Sequence, residues 1–385
     1  MAFGTLSVDR ITSSDYTLID NYIADSGRPL TNRNLIINGA MQVAQRNTSV
    51  TGITTSNYYT ADRWRIILSS AGTWTSNVES SGPTNTEFGK SANVICTTAD
   101  SSLSAGDLFN FIQRIEGQNV QGIKKGTANA ESLTVSFYVK SSNTGTYICE
   151  FYDNDNNRQI SKSYTINAAN TWEKKTITVP PDTTGQFDND NANSLSLVFW
   201  LAAGTDFSSG TLNSSAWASN TDANRAVGQL NLANATGNYW AVTGVQLEIG
   251  TVATPYEWMD YGTELAKCQR YCSVFANDGQ AHAHISLAVG LTGTTFQPAV
   301  VLPVQMRTQP TLSFTSVGHF APHTPGSFRG TCTSLSIITG QSSSSRVVIA
   351  AESTPTDASM SAGRSMHFEY NNPAVAGKLI FSAEL

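Results

Sequence analysis

Charge is what this sequence has least of. Asp, Glu, Lys and Arg make up only 14% of its 385 residues, against roughly 25% in an average globular domain, so Ser, Thr, Asn and Gly carry its solubility. Neutral polar residues suit turns and the solvent faces of strands, and they do not attract stray polyelectrolytes. There is no Lys/Arg cluster and the net charge is −6, which excludes nucleic-acid binding, since phosphates need a basic footprint to neutralise them. No apolar run approaches the roughly 20 residues of a membrane span, and Met1-Ala2-Phe3-Gly4-Thr5 lacks the basic and apolar regions of a secretory signal. The expectation is a chain made in a cytoplasm, with no membrane insertion. The five cysteines, Cys96, Cys149, Cys268, Cys272 and Cys332, are odd in number and scattered, so they form no disulfide framework and read as buried small hydrophobes. Cys268 and Cys272 stand at i and i+4, but no nearby His or Cys pair completes a four-ligand metal site.

What is present is β-pattern in two blocks. A chain of this length calls for two or three domains. Residues 1–33 hold one short apolar alternation, Gly4 to Thr12, and read as an arm that orders only by lying on another surface. From Asn34 to Trp258, apolar-polar alternation recurs between turn residues, as in Leu133 to Lys140 and in the pair Tyr147–Tyr152 and Lys162–Ile166. That count of strands without a long helix predicts a two-sheet sandwich. A long polar stretch between Ala202 and Gly237 interrupts it, and loops of that length in a compact domain are usually functional or partly disordered. Residues 259–271 form a joint, with Thr263 to Arg270 the best short helix in the chain. Residues 272–385 read as a second, smaller β-sandwich. The predicted class is all-β: a β-sandwich, a short helix and a second C-terminal sandwich.

Glycoside hydrolysis would need two carboxylates facing one sugar bond. Glu116, Glu131, Glu150 and Asp153 are the candidates, but no pair stands out, and there is no serine elbow or phosphate-cradling glycine loop. The expectation is therefore a protein without catalysis. Sugar binding asks only for an aromatic face and a few amide, carboxylate or guanidinium groups. Trp64, Trp172, Trp200 and Trp240 lie in or beside apolar strands and read as core, whereas Trp217 in the polar loop and Trp74 in a Ser/Thr/Gly-rich context are the ligand-facing candidates. Asp153 and Asp155 offer oxygens at alternate positions, as calcium loops and ordinary Asx-rich hairpins both do. No cofactor is expected, calcium being the one these runs would take. His282 and His284 point two imidazoles one way from a strand, and three such pairs in a threefold assembly could surround an iron.

Several blocks then carry a resemblance: Asn34-Leu35-Ile36-Ile37-Asn38-Gly39-Ala40-Met41-Gln42-Val43-Ala44-Gln45-Arg46, Ala61-Asp62-Arg63-Trp64, Trp172-Glu173-Lys174-Lys175, Thr243-Gly244-Val245-Gln246-Leu247-Glu248-Ile249-Gly250, Ala253-Thr254-Pro255-Tyr256-Glu257 and Cys268-Gln269-Arg270-Tyr271. Together they resemble a recurrent domain of tailed-bacteriophage tail fibre and tail proteins, itself similar to the jelly-roll carbohydrate-binding modules of glycoside hydrolases. The opening Gly4 to Thr12 resembles the leader of phage virion proteins. This resemblance implies a jelly roll over 34–258 and a virion protein of the tail, with residues 1–33 docking on other tail proteins. Its most natural role is a receptor-binding fibre that adheres to host surface glycans. The alternative is a purely structural tail adaptor or capsid-decorating protein, since a fold does not supply a ligand. Shallow sugar sites bind near millimolar, about −4 kcal/mol, so linked copies are expected for avidity. A homotrimer is the form expected, with Leu265, Cys268 and Cys272 of the joint as candidate contacts.

Overall fold

The computed structural model describes residues 32–277, 279–280, 282–324, 330–354, 360–371 and 377–385. The N-terminal arm and its strand Gly4 to Thr12 lie outside the described residues. The architecture is all-β. In chain order the first region contains β1 (Ser49–Ile53), β2 (Arg65–Ser69), β3 (Thr73–Glu79), β4 (Ser91–Thr98), β5 (Leu108–Glu116), β6 (Leu133–Ser141), β7 (Gly145–Asp153), β8 (Arg158–Ile166), β9 (Glu173–Val179), β10 (Asn193–Ala203), β11 (Ala218–Ser219) and β12 (Tyr239–Ile249). They form two six-stranded sheets, β1-β3-β4-β12-β6-β9 and β11-β8-β7-β10-β5-β2, and most connections cross from one sheet to the other.

The sheets face each other across aromatic contacts. Phe137 of β6 meets Phe199 of β10 at 5.0 Å between ring centres, Trp240 of β12 meets Phe111 of β5 at 5.7 Å, and Trp74 of β3 meets Phe109 of β5 at 4.2 Å. Alternation decides which residues go in: Val135, Phe137 and Val139 of β6 are fully buried, while Tyr138 and Lys140 on the opposite face are partly open. The central strands β10 and β12 are buried along almost their whole length, because both of their faces are covered. The polar stretch after β10 folds back over the outer face of its sheet, where Trp200, Val198, Ile148, Ile112 and Ala226 make a small apolar cluster of their own. The outer face of β12 lies against the Tyr256–Trp258 side, through Phe88.

Residues 35–39 are apolar enough to begin a strand, yet they form none. Two backbone bonds tie their ends to β12, from Leu35 N–H to the Leu247 carbonyl at 2.8 Å and from Val245 N–H to the Gly39 carbonyl at 3.0 Å, and side chains hold the rest: Gln113 accepts from Ile37 N–H at 2.7 Å and donates back to its carbonyl at 2.8 Å, while Asn34 Oδ1 accepts from Ile36 and Leu247.

The second region has β13 (Cys272–Ala276), β14 (His284–Gly290), β15 (Thr295–Val301), β16 (Thr311–Phe314), β17 (Phe320–His323), β18 (Cys332–Ile337), β19 (Arg346–Ser353), β20 (Ser365–Tyr370) and β21 (Lys378–Ser382). A three-stranded sheet, β13-β21-β16, and a six-stranded sheet, β17-β20-β14-β15-β19-β18, share one apolar cluster that includes Phe296, Phe320, Phe368, Leu379 and Phe381. The joint helix runs Tyr261–Gln269, capped by Asp260, whose Oδ1 accepts from Thr263 N–H at 3.0 Å. It lies on the first region, with Glu264 accepting from Asn38 N–H at 2.5 Å. Charged groups join the two regions. Arg270 grips Glu116 with two bonds of 2.8 and 2.7 Å, Arg307 and Asn191 exchange bonds of 2.8 Å each way, and Glu384 sits between Arg46 and the fully buried Arg63.

Candidate functional site

Neither tryptophan chosen from sequence offers a face to a ligand. Trp74 is completely buried, its ring tilted against Phe109, with its indole N–H on the Ala71 carbonyl at 2.7 Å. Trp217 is 8% exposed and donates to the Pro180 carbonyl at 2.9 Å. Its polar surroundings in sequence misled the assignment, because that polar loop packs down onto the sheet and takes the ring with it.

The calcium expectation at Asp153 and Asp155 is replaced by a different arrangement. Lys125 Nζ sits among four oxygens: Asp153 Oδ2 at 2.5 Å, Asp182 Oδ2 at 3.1 Å, and the carbonyls of Thr184 and Gly185 at 2.8 Å each. The ammonium, fully enclosed, occupies the place a cation would take, and Trp217 covers it from 5.5 Å. Asp155 instead accepts from Asp188 N–H at 2.9 Å, which ties the two Asx-rich runs together. The other carboxylates weighed for catalysis also have cations. Arg225 clamps the buried Glu150 at 2.8 and 3.1 Å, Arg270 holds Glu116, and Lys124 meets Glu131 at 3.0 Å. Burial alone would raise Glu116, but its bonds with Arg270, Tyr271 and Gln118 together outweigh it and hold that carboxyl below the usual range.

Cys268 and Cys272 are fully buried within their own chain and share no helix face, since Cys272 already belongs to β13. Burial pushes both thiols up, so neither suits an intersubunit contact or a thiolate ligand. Leu265 is half-buried on the helix.

What the structure does bring together is an aromatic groove at the outer side of the β12 sheet. Trp258 is 44% exposed and Tyr261 58% exposed. With Gln42, Asn38, Glu264 and Tyr256 they line a cavity of about 190 Å³. Tyr256 also lines a neighbouring cavity of about 320 Å³, with Tyr138, Lys174, Glu87 and Phe88. Phe88 is the pin of this groove: its ring lies 5.4 Å from Trp258 and 5.0 Å from Tyr256. It fits because residue 244 is glycine, with φ +62°, and a Cβ there would lie 2.7 Å from the ring. Further along the same face, Lys140 Nζ stands 5.1 Å from the Trp172 ring and 5.7 Å from Tyr239. Partly open aromatic faces flanked by amide, carboxylate and ammonium groups can stack on pyranose C–H surfaces and hydrogen-bond hydroxyls. Sequence reasoning missed Trp258. Its signal was position: it lies just beyond the Ala253-Thr254-Pro255-Tyr256 turn, outside any strand alternation.

His282 and His284 lie on the outer face of the second region's six-stranded sheet, beside His323, His367 and Glu369 of the same chain. His323, His367 and Glu369 were not singled out from sequence, although His367 and Glu369 alternate with the core residues Met366, Phe368 and Tyr370.

No protein-family model matches the chain, and no curated protein matches it. Among solved structures, the enzymatically active domain of bacteriophage CBA120 tailspike protein 4 aligns over 56% of this chain and 21% of its own, at 13% identity and a TM-score of 0.29. This chain thus spans about a fifth of that protein. TmCBM61 in complex with β-1,4-galactotriose aligns over 57% of this chain and 99% of its own, at 11% identity and TM-score 0.29. The family 11 carbohydrate-binding module of Clostridium thermocellum with a mixed-linked tetrasaccharide aligns over 50% and 91%, at 14% identity and TM-score 0.27. At such scores the likeness carries no argument for ligand or activity.

Proposed function

We propose that this chain is a bacteriophage tail fibre or tail-associated receptor-binding protein that adheres to host glycans through the groove around Trp258 and Tyr261, without cleaving them. One observation carries the reading: large aromatic side chains left open to solvent beside Gln42 and Glu264, in a molecule that buries Trp64, Trp74, Trp200 and Trp240 almost completely. The sequence blocks from Asn34 to Tyr271 support the virion setting, with residues 1–33 as the segment that docks on other tail proteins. Among the described residues no helix is long and apolar enough to cross a membrane. Copies associate as a homotrimer, and its contact is better sought at the exposed Leu287, Val289 and Val301 of β14 and β15 than on the joint helix.

Binding of the purified chain to glycan arrays and to host cells tests the reading. Trp258→Ala and Tyr261→Ala should each weaken binding by roughly tenfold or more, as loss of a central aromatic contact does. A folded chain that binds neither glycans nor cells would support the structural alternative, a tail adaptor or decorating protein. Release of reducing ends from host polysaccharide would show cleavage. Mass photometry showing only monomers would remove the trimer.

A further inference from the structure

We propose that His284, His323 and Glu369 form a binding site for a divalent transition-metal ion, with a zinc-like preference for nitrogen and oxygen donors. The register of three neighbouring strands builds it. His284 of β14 stands directly across from Glu369 of β20, and His323 of β17 directly across from His367 of β20. Residues 367 and 369 share one face of β20, so all four side chains gather on the side of the sheet opposite its core.

The distances fit an ion. His284 Nε2 and His323 Nδ1 lie 3.3 and 3.2 Å from Glu369 Oε2, and the three donor atoms are all within 4.8 Å of one another. With metal–ligand bonds of about 2.1 Å, adjacent donors around a tetrahedral ion stand about 3.4 Å apart. His323 Nδ1 is shielded from solvent and makes no hydrogen bond despite its closeness to the carboxylate, which is how donors converging on a shared ion are disposed. The Glu369 side chain is fully buried, whereas that of His284 is 51% exposed, so the fourth position opens to water. Outer partners hold the ligands in place. His282 Nδ1 lies 3.5 Å from the other carboxylate oxygen, and the His367 ring stacks on His284 at 4.1 Å and 20°. Two imidazoles with a carboxylate suit zinc, nickel, cobalt or ferrous iron, and not calcium, which takes oxygen donors. One chain supplies the whole set, so His282 and His284 need no threefold axis to meet a metal.

The test uses the full chain without a histidine tag, stripped with a chelator. Titration with Zn²⁺ should show saturable uptake of one ion per chain and a rise in melting temperature, and Co²⁺ should give the visible absorption of a four- or five-coordinate nitrogen/oxygen site. Glu369→Gln and His323→Ala should each weaken Zn²⁺ binding about 100-fold or more, and His282→Ala or His367→Ala about tenfold. His319→Ala, whose ring bonds Thr315 outside the cluster, should bind as the parent does. Circular dichroism of each metal-free variant reports folding, and if Glu369→Gln does not fold, His323→Ala on the edge strand decides. Absence of saturable uptake by the parent, undiminished uptake by folded His323→Ala, or equal loss in His319→Ala would overturn the site.

Discussion

The two β regions treat a buried carboxylate in opposite ways. In the first, permanent cations close every such group considered above: Lys125 with Asp153 and Asp182, Arg225 with Glu150, Arg270 with Glu116. In the second, Glu369 is ringed by imidazoles at 3.2 to 3.5 Å. A lysine or arginine that fills a carboxylate's shell leaves nothing for a ligand to do. An imidazole offers a lone pair, and a cluster of them around a carboxylate is an invitation to a metal. Carboxylate burial therefore marks structure at Asp153, Glu150 and Glu116, and a candidate site at Glu369.

The sharpest way to break this contrast is at the enclosed ammonium. Lys125→Ala leaves Asp153 and Asp182 facing each other without their cation, and should cost about 3–5 kcal/mol, read by urea denaturation. A small effect would mean that water or an ion replaces the lysine, and the first region would then also hold a cation site. Next comes Asp62, fully buried, which accepts from Gln45 N–H at 3.0 Å. Burial pushes its pKa up to about 6 from 3.8, against the pull of Arg46. The folded state thus keeps a proton that the unfolded state releases between these values, so Asp62's contribution is complete below pH 3.8 and is lost as pH rises through 6. That loss is about 3 kcal/mol. Asp62→Asn should flatten this part of the stability profile measured from pH 4 to 7. The burial-raised Glu264 leaves a residual slope of the same sign.

Where the regions meet, Glu384→Gln removes the charge that Arg46 and Arg63 share and should cost about 2 kcal/mol. Calorimetry should show one melting transition for the parent and two for the variant, as the regions uncouple. The smallest effect on stability belongs to the groove: Trp258→Ala gives up the ring contacts with Phe88 and Tyr256 and should cost about 1 kcal/mol while weakening glycan binding. Trp74→Ala, removing an enclosed ring, should instead cost about 3–5 kcal/mol.

Local patterns were read well where the cause is local. The turn at Asp153 to Asn157 appears between β7 and β8, as its Asx run implies, and the joint helix begins two residues earlier than its helix formers suggested because Asp260 caps it. The sites were read poorly. Trp217 looked open because its neighbours are polar, and His284 looked like half of an intersubunit site because its partners lie far along the chain.

By itself the sequence determined the all-β character, the strand alternation, the helix at the joint and the inertness of five scattered cysteines, since propensity and periodicity act over a few residues. Only the tertiary structure decided which outer face stays open, which carboxylate meets which cation, and that His284, His323 and Glu369 converge. A period of two says that a strand has two faces, but not which of them another segment will cover. Burial and ion pairing belong to residues brought together across the chain, as Glu116 is with Arg270, and no local pattern encodes such a meeting.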